Sequence, residues 1–233
     1  MWLAFFSLSI FPLTFLTVVN PLAISWSFHH GAEPMAPELL AKVYYVERYL
    51  MTLRNLIILA LVYVLAANHS IAAPWLGMTW IDWQTNVAIG FLLGLTRVAL
   101  QGSIRTLLPS LSEVPNNPEL LSGPASFWIA NFLLGAFAEE LWIVLCIVML
   151  VSLLHSHTIP ILITGVVFGL VHFGYGFGGV LAIAMFGVIS GSLFVWRGSL
   201  LPLFLFHFVG NLGVLYWARR GAALLRREAG GPG

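Results

Sequence analysis

Charge is what this chain has least of. Of 233 residues, 10 are Lys or Arg and 9 are Asp or Glu, 8% in all, against roughly 25% in soluble domains. That leaves too little polar surface to cover a water-exposed globule, which argues against a soluble enzyme or a disordered chain. A net charge of +1 makes no field that gathers phosphates, so nucleic acid is not an expected partner. Cysteine is almost missing too. Cys146 alone permits neither an intrachain disulfide nor a thiolate-rich metal site. The alternation of a β-barrel is also absent, so helices are the only way to satisfy the backbone in lipid. What remains is a chain that is 60% hydrophobic, read as an all-α, polytopic transmembrane helical bundle.

A membrane-crossing helix takes about 20 mostly apolar residues. About seven runs come near this: Leu3 to Ile24, Leu50 to Ala67, Val87 to Gln101, Ala125 to Leu154, Thr158 to Phe173, Val180 to Trp196 and Leu200 to Trp217. The first lacks a basic leader and a convincing cleavage site, so it is expected to stay as a helix. Lys42, Arg48, Arg54, Arg97, Arg105, Arg219, Arg220, Arg226 and Arg227 fall toward one side of this arrangement, whereas Asn68 to Asn86 has no basic residue and the opposite side holds only Arg197. The positive-inside rule then places the tail in the cytoplasm and the N-terminus outside. The expected home is the cytoplasmic (inner) membrane, with lipids as constant partners.

Pro34 to Tyr49 mixes charges with apolar residues, the pattern of an amphipathic helix on the membrane surface. Pro109 to Pro124 reads as a loop, and Gly221 to Gly233 as a disordered tail. Three glycine pairs at a spacing of four (Gly90/Gly94, Gly165/Gly169, Gly187/Gly191) predict close helix packing. The chain divides into N-terminal helices with their amphipathic segment and loops (1–124), a core (125–217) and a basic tail (218–233).

Ionisable groups in hydrocarbon cost at least about 2.5 kcal/mol each on insertion scales and are functional candidates by default. Glu139 and Glu140 sit midway along the fourth run. Two adjacent carboxylates in lipid cannot easily both ionise, a setting that suits general acid–base work. His172 ends the fifth run, four residues after Phe168 and so on the same helix face, directly before a glycine-rich turn. His207 and Asn211 stack on one face of the last run. Counting rises of about 1.5 Å per residue from the presumed outer ends puts Glu139 and His207 near mid-membrane. The same count sets His172 deeper toward the cytoplasm, a gap that tilt or the glycine turn has to close. Gathered round one cavity, these groups provide a carboxylate base, imidazoles and an amide able to stabilise an oxyanion. Glu139, His172 and His207 equally form a zinc set with an open position. Trp142, on the helix of the glutamates, is expected to shape the cavity, and Cys146 to be packing.

The ordered trio resembles the CAAX protease and bacteriocin-processing (CPBP, or Abi) family of intramembrane proteases. Its pattern is Glu-Glu-x-x-x-Arg, then Phe-x-x-x-His, then His-x-x-x-Asn or Asp, matched here by Glu139-Glu140, by Phe168 with His172, and by His207 with Asn211. The resemblance covers roughly Ala125 to Trp217. It implies an all-helical membrane fold and hydrolysis of a peptide bond near the C-terminus of a prenylated or otherwise membrane-associated protein. It implies Glu139 as general base, His172 helping to hold the attacking water, Glu140 supporting both, and His207 with Asn211 lining the oxyanion pocket. A metal-free route, with no cofactor, is favoured over zinc because carboxylate, imidazole and amide already supply base and donors. One position departs from the pattern. The family arginine falls at 144, where this chain has Val144, and Arg97 is the candidate replacement from another helix. Two readings compete: a non-catalytic bacteriocin-immunity or scaffolding protein, and a transporter coupling protons through Glu139 and Glu140.

Overall fold

The structure, a computed structural model, describes residues 37–107, 124–172 and 176–228, with side chains described at 49–103, 124–172 and 177–221. The run Leu3 to Ile24, His29 and His30, and all of the Pro109 to Pro124 connection except Pro124 lie outside these residues. Six α-helices and no strand occur among the described residues: α1 (Pro37–Asn68), α2 (Trp83–Leu107), α3 (Ala125–Leu154), α4 (Thr158–Leu170), α5 (Gly176–Arg197) and α6 (Leu201–Glu228).

The punctuation is local. Prolines open or sit in the first turns of α1, α4 and α6, where a missing N–H costs no helical bond. Pro124 precedes α3 as its N-cap. Gly198, at φ +60, turns α5 into α6, a conformation glycine adopts without a Cβ penalty. Between Pro37 and Asn68 there is neither glycine nor a second proline. The expected surface helix and the span after it are therefore one continuous helix, which corrects the break placed at Tyr49. Within the expected disordered tail, 221–228 is helical, because α6 runs on to Glu228 through helix-favouring Ala, Leu and Arg, and 229–233 lie outside the described residues.

Four segments are long and apolar enough to cross a membrane: Tyr49–Asn68, Ala125–Leu154, Phe177–Arg197 and Leu201–Gly221. The protein is an integral membrane protein, with fewer full spans among the described residues than the seven expected. Two helices account for most of the difference. α2 is diluted by Gln84, Thr85, Asn86, Thr96, Arg97 and Gln101. α4 has 13 residues, about 20 Å of helix against a hydrocarbon core of about 30 Å.

The tight turn between α3 and α4 is what levels the site. The turn after Leu154 sends the chain straight back as α4. Counted from this turn, Glu139 lies 15 residues back along α3 and His172 lies 14 residues beyond the start of α4, both about 21–23 Å away. Counted from this shared turn, the depth gap expected from the sequence does not arise.

α3 is the central helix, packed against α1, α4, α5, α6 and the short 3-10 turn Ala73–Leu76. Its buried residues include Trp142, Ile143, Val144, Leu145, Cys146 and Ile147. The glycine pairs serve packing, as expected. Gly90 and Gly94 face Pro202, Leu205 and Val209 on α6, and Gly165 and Gly169 face Ala184 and Val188 on α5. Contacts so close leave no room for even a methyl group, the usual basis of small-residue helix interfaces. At one end of the bundle, the Leu200 N–H donates to the Gly77 carbonyl at 2.9 Å. Arg197, the lone basic residue of that side, donates through Nε to Asn86 Oδ1 at 2.9 Å and pairs with Asp82 at 3.6 Å.

Candidate active site

Successive residues on a helix point about 100° apart, so Glu139 and Glu140 leave α3 in different directions. Glu140 is wholly buried. Its Oε1 lies 2.8 Å from His207 Nδ1 on α6 and accepts from the Ser190 hydroxyl on α5 at 3.3 Å. Glu139 Oε1 receives Nη2 of Arg54 on α1 at 2.5 Å, while its Oε2 stands 3.7 Å from His207 Nε2. His207 thus bridges the two carboxylates, one at each ring nitrogen. Phe186 holds the ring edge-on, with centroids 4.8 Å apart.

His172 approaches from the end of α4. Its Nδ1 is 2.8 Å from the Phe168 carbonyl. A carbonyl only accepts, so Nδ1 carries the hydrogen and Nε2 is the acceptor nitrogen. The Phe168 ring meets the imidazole edge-on at 4.8 Å, which gives the Phe-x-x-x-His spacing two tasks, one for the backbone and one for the ring. A small cavity joins the two sides. It is lined by Arg54, Ile58, Glu139, Trp142, Phe168, Val171 and His172, and water centres have about 10 Å³ within it, room for about one water molecule.

Arg54, Glu139, Glu140 and His207 can balance their charges among themselves, with the buried Arg97 guanidinium acting on the glutamates from farther off. Arg54 offsets Glu139. One proton shared between Glu140 and His207 Nδ1 makes that pair neutral whichever partner holds it, provided Nε2 also carries a hydrogen. A cluster taken out of water needs this balance, because an uncompensated buried charge costs several kcal/mol.

The structure therefore brings together Glu139, Glu140, His172 and His207 from three helices, as the sequence predicts, and Trp142 lines the cavity. Asn211 is half-buried one turn beyond His207, and its side chain makes no hydrogen bond among the described residues. Val144 is fully buried among apolar neighbours. Arg97, the candidate replacement for the arginine at 144, has its guanidinium buried where its charge acts on Glu140 and Glu139 without touching either carboxylate. Its guanidinium lies 4.4 Å over the Phe186 ring, Nη1 is buried without an acceptor, and it forms no ion pair with either glutamate. The sequence reading missed Arg54 and Ser190. Arg54 had been counted only for topology, although Arg54 and Asn55 stand inside an apolar run where a charge is itself a signal. Among the described residues, no three His, Cys, Asp or Glu side chains are gathered as a metal-ligand set.

One family model matches the chain, over residues 121–213: Rce1-like, described as type II CAAX prenyl endopeptidase Rce1-like. The match covers less than half of the chain and falls on the stretch carrying all three motifs. It agrees with the family resemblance that those motifs show. No curated protein and no solved structure matches. The Rce1-like segment begins just before α3 and ends within α6, so α1 and α2 lie outside it.

Proposed function

We propose that this protein is a CAAX-type intramembrane endopeptidase that hydrolyses a peptide bond near the C-terminus of a prenylated or otherwise membrane-associated protein. The observation that carries the reading is the cavity wall shared by Glu139 and His172 at one depth of the bundle. A carboxylate and an imidazole acceptor beside a space for one water are the parts a hydrolytic step needs.

In the proposed step a water lies between Glu139 and His172 Nε2. Glu139 removes one of its protons as the oxygen attacks the scissile carbonyl. The C–O bond forms and the carbonyl oxygen becomes an oxyanion, which takes a hydrogen bond from His207 Nε2–H. Collapse breaks the C–N bond, and Glu139 returns its proton to the leaving amine. Glu140 holds His207 through Nδ1, keeps its Nε2 turned toward Glu139, and touches no reacting atom. Asn211, a second oxyanion donor by resemblance, has to turn toward substrate to take part. The Rce1-like match supports this chemistry at the level of the protease class, and the metal-free route is our reading of the donor set. The setting proposed is the cytoplasmic membrane with the α6 end in the cytoplasm.

The test uses the full chain in lipid vesicles with a prenylated peptide and its unprenylated counterpart. The expected result is cleavage of the prenylated peptide alone, lost by about 10³-fold in Glu139→Gln. Equal cleavage by Glu139→Gln overturns the mechanism. No cleavage by the wild type of either peptide, with proton-gradient-driven flux instead, favours the transporter reading.

A further inference from the structure

We infer that Arg54 is the positioning residue of the site: from α1, outside the matched segment, it holds the Glu139 carboxylate and supplies the cation that position 144 lacks. The inference rests on the endopeptidase reading above and deepens it.

The guanidinium is itself tied down. Arg54 donates through Nε and Nη2 to Asn55 Oδ1, at 3.2 and 2.9 Å, while the same Nη2 reaches Glu139 Oε1. Asn55 is buried and donates through Nδ2 to Asn131 Oδ1 at 3.2 Å. Asn131 in turn donates to the Thr52 hydroxyl at 3.3 Å. Two amides thus clamp α1 onto α3 within two turns of the glutamate. Asn131, Gly135 and Glu139 are spaced by four and form one stripe of α3. Gly135 leaves that stripe flat, since a Cβ there stands 3.1 Å from Asn55 Nδ2. The polar chain and the bare glycine together fix where the guanidinium sits.

The consequence is chemical. With Oε1 engaged by Arg54, Oε2 is the oxygen turned toward His207. A carboxylate held at one oxygen cannot swing away from the water it must deprotonate, and such pre-organisation is where much of an enzyme's advantage arises. A planar, permanently charged fork suits this role better than an ammonium. No other Lys or Arg among the described residues forms an ion pair with either glutamate. Arg97 lies over the face of Phe186 and acts on the two glutamates only at a distance.

The experiment uses the full chain, purified and reconstituted, as wild type, Arg54→Ala, Arg54→Lys, Glu139→Gln and the Arg54→Ala/Glu139→Gln double variant. Arg54→Ala is expected to lower kcat at least tenfold with KM within about twofold, and Arg54→Lys to regain part of that loss. Thermal stability reads the pair without catalysis. Arg54→Ala is expected to lower the unfolding midpoint by stranding a buried carboxylate, and adding Glu139→Gln to raise it again, since the amide needs no counter-ion. Should Arg54→Ala not accumulate, the Arg54→Lys kinetics and the midpoint of the double variant carry the same test. Wild-type kcat in Arg54→Ala, or additive losses of stability in the double variant, overturns the inference. A wild type that cleaves nothing defeats the function reading and this one with it; a wild type that cleaves, alongside an equally active Arg54→Ala, defeats this one alone.

Discussion

Glu139 and Glu140 are neighbours in the chain and differ in almost everything else. Glu140 faces the seam where α3, α5 and α6 meet, wholly buried and bound to His207 and Ser190. Glu139 faces α1 and α4, bound to Arg54 and lining a cavity it shares with His172. One carboxylate is sealed behind a histidine, and the other lines a cavity with room for about one water. The contrast teaches that a doubled glutamate on a membrane helix can be two parts rather than one redundant pair. In the proposed mechanism the sealed member orients an imidazole, and the cavity member does the proton transfer. Partners also differ in origin, because those of Glu140 lie inside the Rce1-like segment and the cation of Glu139 lies outside it.

The comparison can be broken at several points. The largest expected effect is that of Glu139→Gln, a loss of about 10³-fold in cleavage with the fold intact, measured by turnover and by monodispersity in detergent. Glu140→Gln should cost less, about 10- to 100-fold, because the amide can still meet His207 Nδ1 but no longer shares a proton with it; turnover with equal losses in both variants contradicts the division of labour. Asn211→Ala sharpens the oxyanion side. A loss smaller than that of His207→Ala is expected, since only His207 is already turned toward Glu139, and parallel kinetics of the two variants check it. The smallest effect on chemistry belongs to Asn55→Ala, which removes one link of the α1–α3 clamp and should lower stability by about 1–3 kcal/mol with turnover reduced only a few-fold, read by unfolding in detergent.

The legible part of the molecule was its polar anomalies. Charge is so scarce in this chain that Glu139, Glu140, His172 and His207 stand out in apolar runs, and their spacing assigns each to a helix face. Helix lengths were less legible. The break placed at Tyr49 failed because polarity changes there while the backbone has no breaker to stop the helix. The depth of His172 was misjudged although the residue count from the turn after Leu154, 14 to His172 against 15 back to Glu139, sets the two level. Arg54 was missed for a different reason. A basic residue near a helix end satisfies the positive-inside rule, and nothing in one sequence says that α1 packs on the stripe Asn131, Gly135, Glu139. Position 144 showed that a cation was absent; only the packing of α1 shows where another one sits.

The most direct measurement of the central claim, that Glu139 activates the hydrolytic water, compares protein termini across the membrane proteome of cells carrying wild type or Glu139→Gln at equal expression. The account predicts that at least one membrane-associated protein keeps its full C-terminus in the variant cells and loses it in the wild type. Identical termini in the two cell types, with both proteins present and folded, contradict it.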